Sequence, residues 1–252
     1  TYFEQNIMSN CKEKTILVTG GTNGIGKTIA QHFYAKKATV YLTGTNSFLI
    51  NKINSKNDPR MIAIMSDFSS TDFQNDFQSK IDKIDKIDIL VNNAGINKID
   101  NFVDTKSEDF EKILNVNLKA PYEISKMVTK KMIKNKYGRI VNISSIFGKL
   151  SKAKRSLYSM SKFGIHGLTV ALAAELSEKN ILTNTVSPGF VNTNLTKKIL
   201  SAKEMKSLAQ LVPIKRFAET DEIVKLVMFL CSSENTYLSG QNIMIDGGFS
   251  IV

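Results

Sequence analysis

The chain of 252 residues is poor in the groups from which metal clusters, disulfide frameworks and membrane spans are built. Only two cysteines occur, Cys11 near the start and Cys231 inside an apolar helical pattern. No metal site and no disulfide is expected from them, and both read as reduced thiols. No run of eighteen apolar residues exists, which argues against a membrane-spanning helix, and the N-terminal stretch lacks the basic-then-apolar pattern of a secretory signal. A cytoplasmic location is the expectation. No Gly/Pro/Ser-rich linker and no internal repeat divides the sequence, so a single domain with a substantial core is expected. Acidic residues are the minority, 23 Asp+Glu against 34 Lys+Arg, for a formal charge of +11. That excess suits an anionic partner, whether nucleic acid, a phosphorylated cofactor or an acidic protein. The lysines are nevertheless spread over nearly every helical pattern, and aromatic residues do not interleave with them, which argues against a nucleic-acid groove.

What the sequence does contain is a regular alternation of short β-branched runs with longer amphipathic ones, the pattern of βαβ units around a parallel sheet. Strands are expected at Thr15–Thr19, Thr39–Thr43, Met61–Met65, Ile87–Asn92, Arg139–Ser144, Leu182–Ser187 and Asn242–Ile245. Helices are expected at about Ile25–Lys36, Thr71–Ile81, Ser107–Asn135, Tyr158–Glu178 and Asp221–Leu230, with a further helical stretch near Ser201–Leu211. The fold class is therefore α/β: one doubly wound Rossmann-type domain, with a seven-stranded, mostly parallel sheet and helices on both faces. Residues 1–12 fit no periodic element and are expected to form a disordered or non-native tail, with Met8 a natural start just ahead of the first strand. The folded domain then runs over residues 13–252.

Directly after the first strand stands Thr19-Gly20-Gly21-Thr22-Asn23-Gly24-Ile25-Gly26, followed by an amphipathic helix. Glycines at a strand-to-helix turn let the backbone approach a pyrophosphate, and a helix N-terminus offers unpaired N–H groups and partial positive charge. Gly20, Thr22, Asn23, Gly24, Ile25 and Gly26 are thus candidate cofactor contacts. An acidic residue at the end of the second strand would bind the ribose 2′-hydroxyl of NAD, and none is present. Thr45 and Asn46 can instead hydrogen-bond a 2′-phosphate, so NADP(H) is favoured over NAD(H).

Tyr158 and Lys162 lie four residues apart, one turn from each other on one helix face, and Ser145 precedes Tyr158 by thirteen residues. A tyrosine with an unperturbed pKa near 10 exchanges protons poorly at neutral pH; a fixed neighbouring cation favours the phenolate and brings the value toward the working range. As a spacing alone, the pair is more often a surface tyrosine and lysine on an ordinary helix.

Taken together, the Gly20/Gly24/Gly26 loop, Asp67, Asn92-Asn93-Ala94-Gly95, Asn117, Ser145, the Tyr158/Lys162 pair, Pro188-Gly189 and the closing Asp246-Gly247-Gly248 resemble the short-chain dehydrogenase/reductase family in its compact form. The resemblance runs from about Lys14 to the C-terminus. It implies that Asp67, with Phe68 beside it, borders the adenine, the alternative for Asp67 being a turn or helix cap. It implies that Asn93, Ala94 and Gly95 border the nicotinamide ribose, that Pro188, Gly189, Val191 and Thr193 belong to the nicotinamide loop, and that Asn92 ties strands together. In the implied mechanism Tyr158 protonates the substrate oxygen, Ser145 holds that oxygen, Lys162 lowers the Tyr158 pKa and binds the ribose, and Asn117 holds a water that returns protons.

Within that family the 139–145 run, Val212-Pro213-Ile214-Lys215-Arg216 and the short C-terminal tail look most like the 3-oxoacyl-acyl-carrier-protein reductases. That likeness implies an acyl substrate bound to a carrier protein, with Lys136 and Lys179 facing an acidic acyl carrier protein, and a homotetramer. The loop from Ile146 to Leu157 departs from this group, since it carries four cations, including Lys152 and Arg155, beside the active-site mouth. These two are candidate substrate residues, for phosphates of a carrier or for an anionic sugar. A sugar or nucleotide-sugar oxidoreductase is therefore the alternative, and a non-catalytic dinucleotide sensor a more remote one. Residues 192–212 are expected to form a small helical lid, with Leu195, Ile199, Met205 and Leu208 lining an acyl pocket or packing the lid down.

Overall fold

A computed structural model of the chain describes residue 11 and residues 13–252. The expected tail, Met8 included, lies outside the described residues apart from Cys11. Seven strands form one sheet: β1 (Thr15–Val18), β2 (Thr39–Gly44), β3 (Met61–Met65), β4 (Ile89–Asn92), β5 (Gly138–Ile143), β6 (Ile181–Pro188) and β7 (Asn242–Ile245). Their order is β3-β2-β1-β4-β5-β6-β7, and every neighbouring pair is parallel, so the expected mostly parallel sheet is parallel throughout. The chain order reverses between β1 and β4, which opens a crevice beyond the carboxyl ends of those strands.

The helices are α1 (Gly24–Ala35), α2 (Ser47–Asn54), α3 (Phe73–Asp82), α4 (Ser107–Leu114), α5 (Ala120–Lys134), α6 (Ser156–Leu176), α7 (Asn194–Ile199), α8 (Ala202–Leu211) and α9 (Thr220–Cys231). Side chains alternate across a strand, so each strand of the central sheet feeds two cores. Ile16, Val18, Ile89, Val91 and Val141 pack with Ile29 and Phe33 of α1 and with Ile223, Val224 and Val227 of α9. Leu17, Leu90 and Ile140 pack on the opposite face with Phe77 and Ile81 of α3 and with Ile124, Val128 and Met132 of α5. Phe77 is fully buried, and truncating such a ring to alanine costs about 3–5 kcal/mol.

One helix, α2, falls where the sequence reading placed none, and the helical lid expected over 192–212 is two helices, α7 and α8. Helices α2 and α7 are short and begin at a polar cap: Asn46 accepts from the Leu49 N–H at 3.0 Å, and Thr193 from the Thr196 N–H at 3.1 Å. The expected continuous helix over 107–135 is instead two helices joined by a π-helical turn, Asn115–Lys119. The turn carries Asn117, whose amide clamps a neighbouring loop in both directions. Its Oδ1 accepts from the Ile96 N–H at 2.9 Å and its Nδ2 donates to the Ile96 carbonyl at 2.9 Å.

Candidate active site

The glycine loop is welded to the end of β4. The Asn93 amide nitrogen donates to the carbonyls of Thr19 and Gly20 at 3.0 and 3.2 Å, and the Thr19 hydroxyl accepts from the N–H groups of Asn93 and Ala94, both at 3.0 Å. Gly26 permits this junction, because a Cβ there would lie 2.3 Å from Asn93 Nδ2 and 2.4 Å from the Gly20 oxygen. Gly20 turns the chain with φ of +64°, open to glycine at little cost. The first turn of α1 carries no acidic residue, and Asn23 makes no side-chain cap, so its N–H groups stay free for an anion. A backbone cradle with a free helix N-terminus fits a dinucleotide pyrophosphate.

The cradle opens into a cleft of about 860 Å³ at the carboxyl edge of the sheet. Of the expected cofactor contacts, Gly20, Asn23, Gly24, Ile25, Asn93, Ala94, Gly95, Tyr158, Lys162, Pro188, Gly189, Val191 and Thr193 line it. The 188–193 loop is fixed from behind, where Phe190 stacks on Phe217 at 5.2 Å and meets Phe249 edge-on at 5.1 Å.

Thr22, Gly26, Thr45, Asn46, Asp67 and Phe68 are not part of the cleft wall. Gly26 acts one layer back, through the junction just described. Asn46 spends its Oδ1 on the α2 cap, which leaves its Nδ2 and the exposed Thr45 as the polar groups beyond β2. Asp67 accepts from the Ser69 N–H at 2.9 Å and the Ser69 hydroxyl at 2.8 Å; these bonds hold its carboxyl below the usual range and make it a turn aspartate in this structure. The Phe68 ring is a correction. It is buried edge-on against Phe73 and Phe77, at 5.3 and 5.4 Å, so its apolar area serves the core and only its backbone is left for an adenine.

At the deep end of the cleft, Ser145 caps a short 3-10 turn, Ile146–Gly148, accepting from the Phe147 N–H at 3.2 Å. Its hydroxyl faces the Tyr158 phenol closely enough to favour the phenolate. Lys162, one turn further, is buried and donates to the Ile143 carbonyl at 2.8 Å. Its Nζ is 5.7 Å from the Tyr158 ring centre. Gly95 adjoins this corner: a Cβ there would make ordinary contact with Lys162 Nζ at 3.4 Å and Asn117 Oδ1 at 3.5 Å. Asn117 Nδ2 also donates to Ser161 Oγ at 3.0 Å, so both its amide protons are used in clamping the 93–97 loop to α6.

Beneath the site a buried polar chain ties three strands to two helices. Asn92 Nδ2 donates to Ser125 Oγ at 3.2 Å and Asn142 Oδ1 at 2.8 Å, Asn142 Nδ2 donates to Thr169 Oγ1 at 2.8 Å, and Thr169 meets Thr185 at 2.7 Å. The strand-tying use expected of Asn92 is the one observed.

The electrostatics correct one expectation. Lys162 does not draw the Tyr158 phenol downward here. Burial pushes that phenol up, opposed by the Ser145 hydroxyl and the Arg155 charge, because a phenolate in a closed wall loses more solvation than these groups return. The phenol is therefore protonated at neutral pH, in the form a proton donor needs. Burial in turn lowers the Lys162 ammonium to about 8, close to the working range.

Lys152 and Arg155 both line the cleft, as do Lys197 and Lys198 of α7 and Leu208 of α8, while Met205 does not. The side chains of Leu195 and Ile199 lie outside the described residues. Sequence reasoning missed Ile96, Asn97, Phe147 and Phe190 in the wall. The only signal for them was adjacency to expected site residues. Among the described residues no group of three His, Cys, Asp or Glu side chains could hold a metal, and no helix is long and apolar enough to cross a membrane.

Known proteins share both this sequence and this architecture. A family described as enoyl-(acyl carrier protein) reductase matches residues 20–250. The 3-oxoacyl-[acyl-carrier-protein] reductase FabG of Aquifex aeolicus (strain VF5) is 36% identical over 240 residues, covering 93% of this chain and 96% of the relative. The crystal structure of a putative NAD(P)-dependent gluconate 5-dehydrogenase from Beutenbergia cavernae, with bound NADP, superimposes with a TM-score of 0.88 at 26% identity, over 94% of this chain and 97% of that one. A 4-hydroxyisoleucine dehydrogenase complexed with NADH does so with a TM-score of 0.88 at 30% identity, over 94% and 98% of the two chains. The protein belongs to the short-chain dehydrogenase/reductase family and is an NAD(P)-dependent oxidoreductase acting between carbonyl and alcohol.

Proposed function

We propose that the protein reduces the 3-oxo group of an acyl thioester on acyl carrier protein to the 3-hydroxyacyl form, with NADPH as the preferred reductant. One observation carries the chemistry: two hydroxyl-bearing residues, Ser145 and Tyr158, line the same cleft as the glycine loop of the cradle. Two such donors suit the oxygen of a carbonyl as it gains charge. The 36% identity to a 3-oxoacyl-acyl-carrier-protein reductase supports the substrate.

When bound, the reduced nicotinamide supplies a hydride to the carbonyl carbon. Tyr158, protonated because of its burial, gives its proton to the carbonyl oxygen, and Ser145 holds that oxygen by a hydrogen bond. Lys162 spends one proton on Ile143 and keeps two for ribose hydroxyls and for reprotonating Tyr158. Asn117 positions the 93–97 loop and α6 relative to each other. Gly20, Asn23, Gly24 and Ile25 would hold the pyrophosphate, and Asn93, Ala94, Gly95, Pro188, Gly189, Val191 and Thr193 would border the nicotinamide half. The absence of a carboxylate at Thr45 and Asn46 supports NADPH.

Lys136 and Lys179 are proposed to face the acidic carrier, in a cytoplasmic homotetramer. Exposed apolar residues on α5 and α6, Tyr122, Met160, Phe163 and Val170, support the assembly. A second reading, a sugar or sugar-acid oxidoreductase, is favoured by the cations Lys152 and Arg155 in the cleft wall. Oxidation of NADPH and NADH followed at 340 nm with acetoacetyl-coenzyme A, crotonyl-coenzyme A and a panel of ketosugars and nucleotide sugars tests these readings. Turnover of acetoacetyl-coenzyme A with NADPH is expected; turnover confined to the sugars, or to crotonyl-coenzyme A, overturns the first reading.

A further inference from the structure

Arg155 stands immediately before α6, three residues ahead of Tyr158, and its surroundings are unusual for an arginine. The guanidinium carbon lies 5.3 Å from the centre of the Phe147 ring, and that ring meets Tyr158 edge-on at 6.3 Å. The three groups thus form one section of the cleft wall. Its Nε is buried and has no hydrogen-bond partner among the described residues, and no carboxylate pairs with it there. No aspartate or glutamate lines the cleft at all. A half-buried guanidinium with an unfilled donor is costly unless an anion completes it, and its planar fork matches a carboxylate. Burial lowers its pKa while the Tyr158 phenol acts in the opposite sense, which is consistent with their closeness.

We propose that Arg155 is a specificity residue that receives a carboxylate carried by the substrate itself, a few bonds from the carbonyl that is reduced. This goes beyond the acyl-thioester reading, because a 3-oxoacyl thioester carries no such carboxylate: it rests on the carbonyl-reductase chemistry alone and gives the same cleft a keto-acid substrate class. Position selects this ligand over a carrier phosphate: Arg155 adjoins the proton donor, whereas the phosphate of a carrier arm lies far from the reacting carbon of its acyl group. The carboxylate is a spectator in the reaction. The hydride goes to the carbonyl carbon, the Tyr158 proton goes to its oxygen, and the anion keeps its charge throughout.

The test pairs each keto acid with its neutral ester: acetoacetate with methyl acetoacetate, 4-oxopentanoate and 5-oxohexanoate with their methyl esters. The full chain is used with NADPH, and acetoacetyl-coenzyme A serves as a carboxylate-free control. The wild type is expected to favour at least one acid over its ester in kcat/KM. Arg155→Gln should lower the acid's value by about 10- to 100-fold more than it lowers those of the ester and the control, the range of a charged hydrogen bond, while any loss shared by all three reads the Arg155 charge beside Tyr158. Arg155→Lys should restore part of the loss. Quenching of bound NADPH fluorescence by succinate gives a readout free of turnover, and its affinity should fall by a similar factor in Arg155→Gln. Equal loss on acids, esters and control would assign Arg155 to tuning Tyr158 and overturn the proposal. So would turnover of the control with no acid preference and unchanged succinate binding, an outcome that leaves the carbonyl-reductase reading intact. No turnover of any carbonyl compound by the wild type would remove both.

Discussion

Replacing Lys162 with methionine should raise the stability of the cofactor-free protein while abolishing its activity. The lysine is 5% exposed, and burial alone moves its pKa from 10.5 to about 8. Below both values the charged form is penalised in the folded state by about 3 kcal/mol, at ~1.36 kcal/mol per pKa unit. Against this stands the bond from Lys162 to the Ile143 carbonyl, worth about 1.5–3 kcal/mol as a charged hydrogen bond. Methionine fills similar volume without the charge, so the net gain at pH 7 is about 1 kcal/mol, or roughly 2–4 °C in Tm for a chain of this size. The pH dependence is the sharper signature. Between the folded value of about 8 and the unfolded value of 10.5, the unfolded lysine holds the proton that the folded one has lost, so wild-type stability rises with pH across that window. The balance should therefore move by about 2 kcal/mol against the variant, roughly 4–8 °C, between pH 7 and pH 9.5, so that an advantage of about 1 kcal/mol becomes a deficit of about 1 kcal/mol. Thermal unfolding of both proteins at the two pH values, without cofactor, measures it. A variant less stable at both, by the same margin, would refute the reasoning, because Lys162 would then be a stabilising structural residue and not an ammonium buried for use.

Two further outcomes follow from the cofactor cradle. Gly26→Ala should weaken NADPH binding, read by fluorescence titration, by about tenfold or more and lower stability by about 1–3 kcal/mol, because its Cβ would meet Asn93 Nδ2 at 2.3 Å and the Gly20 oxygen at 2.4 Å; an unchanged affinity would show that the junction is not a cradle. Thr45→Asp should lower the ratio of kcat/KM for NADPH over NADH by about 10- to 100-fold, by setting a carboxylate against the 2′-phosphate. A ratio unmoved by that substitution would place the 2′-phosphate elsewhere.

The sheet was legible because each strand is a short apolar run closed by polar or glycine residues, and two of them, Met61–Met65 and Asn242–Ile245, have the expected bounds. The order of functional side chains along the chain was legible for the same reason: Gly20, Asn93, Ser145 and Pro188 stand at or next to strand ends, which a parallel sheet gathers at one edge. What local pattern did not carry is competition between neighbours. Nothing in the 107–135 sequence says that Asn117 will bond Ile96 in both directions or that a π turn will divide the helix. Phe68 reads as a companion of Asp67 beside the adenine until α3 brings Phe73 and Phe77 against its ring. The balance at Tyr158 is likewise a property of three dimensions. A cation four residues away promises a lowered pKa, but a closed wall outweighs a lysine whose ammonium is turned to Ile143.

The central claim is that Tyr158 is the proton donor to a carbonyl reduced by a dinucleotide held in the Gly20–Gly26 cradle. Its most direct test is Tyr158→Phe assayed with NADPH and acetoacetyl-coenzyme A, beside NADPH binding by the same protein. The account predicts a loss in kcat of about 10²- to 10⁴-fold, the usual worth of a positioned general acid, with the NADPH dissociation constant nearly unchanged. A variant that reduced acetoacetyl-coenzyme A at the wild-type rate would contradict it.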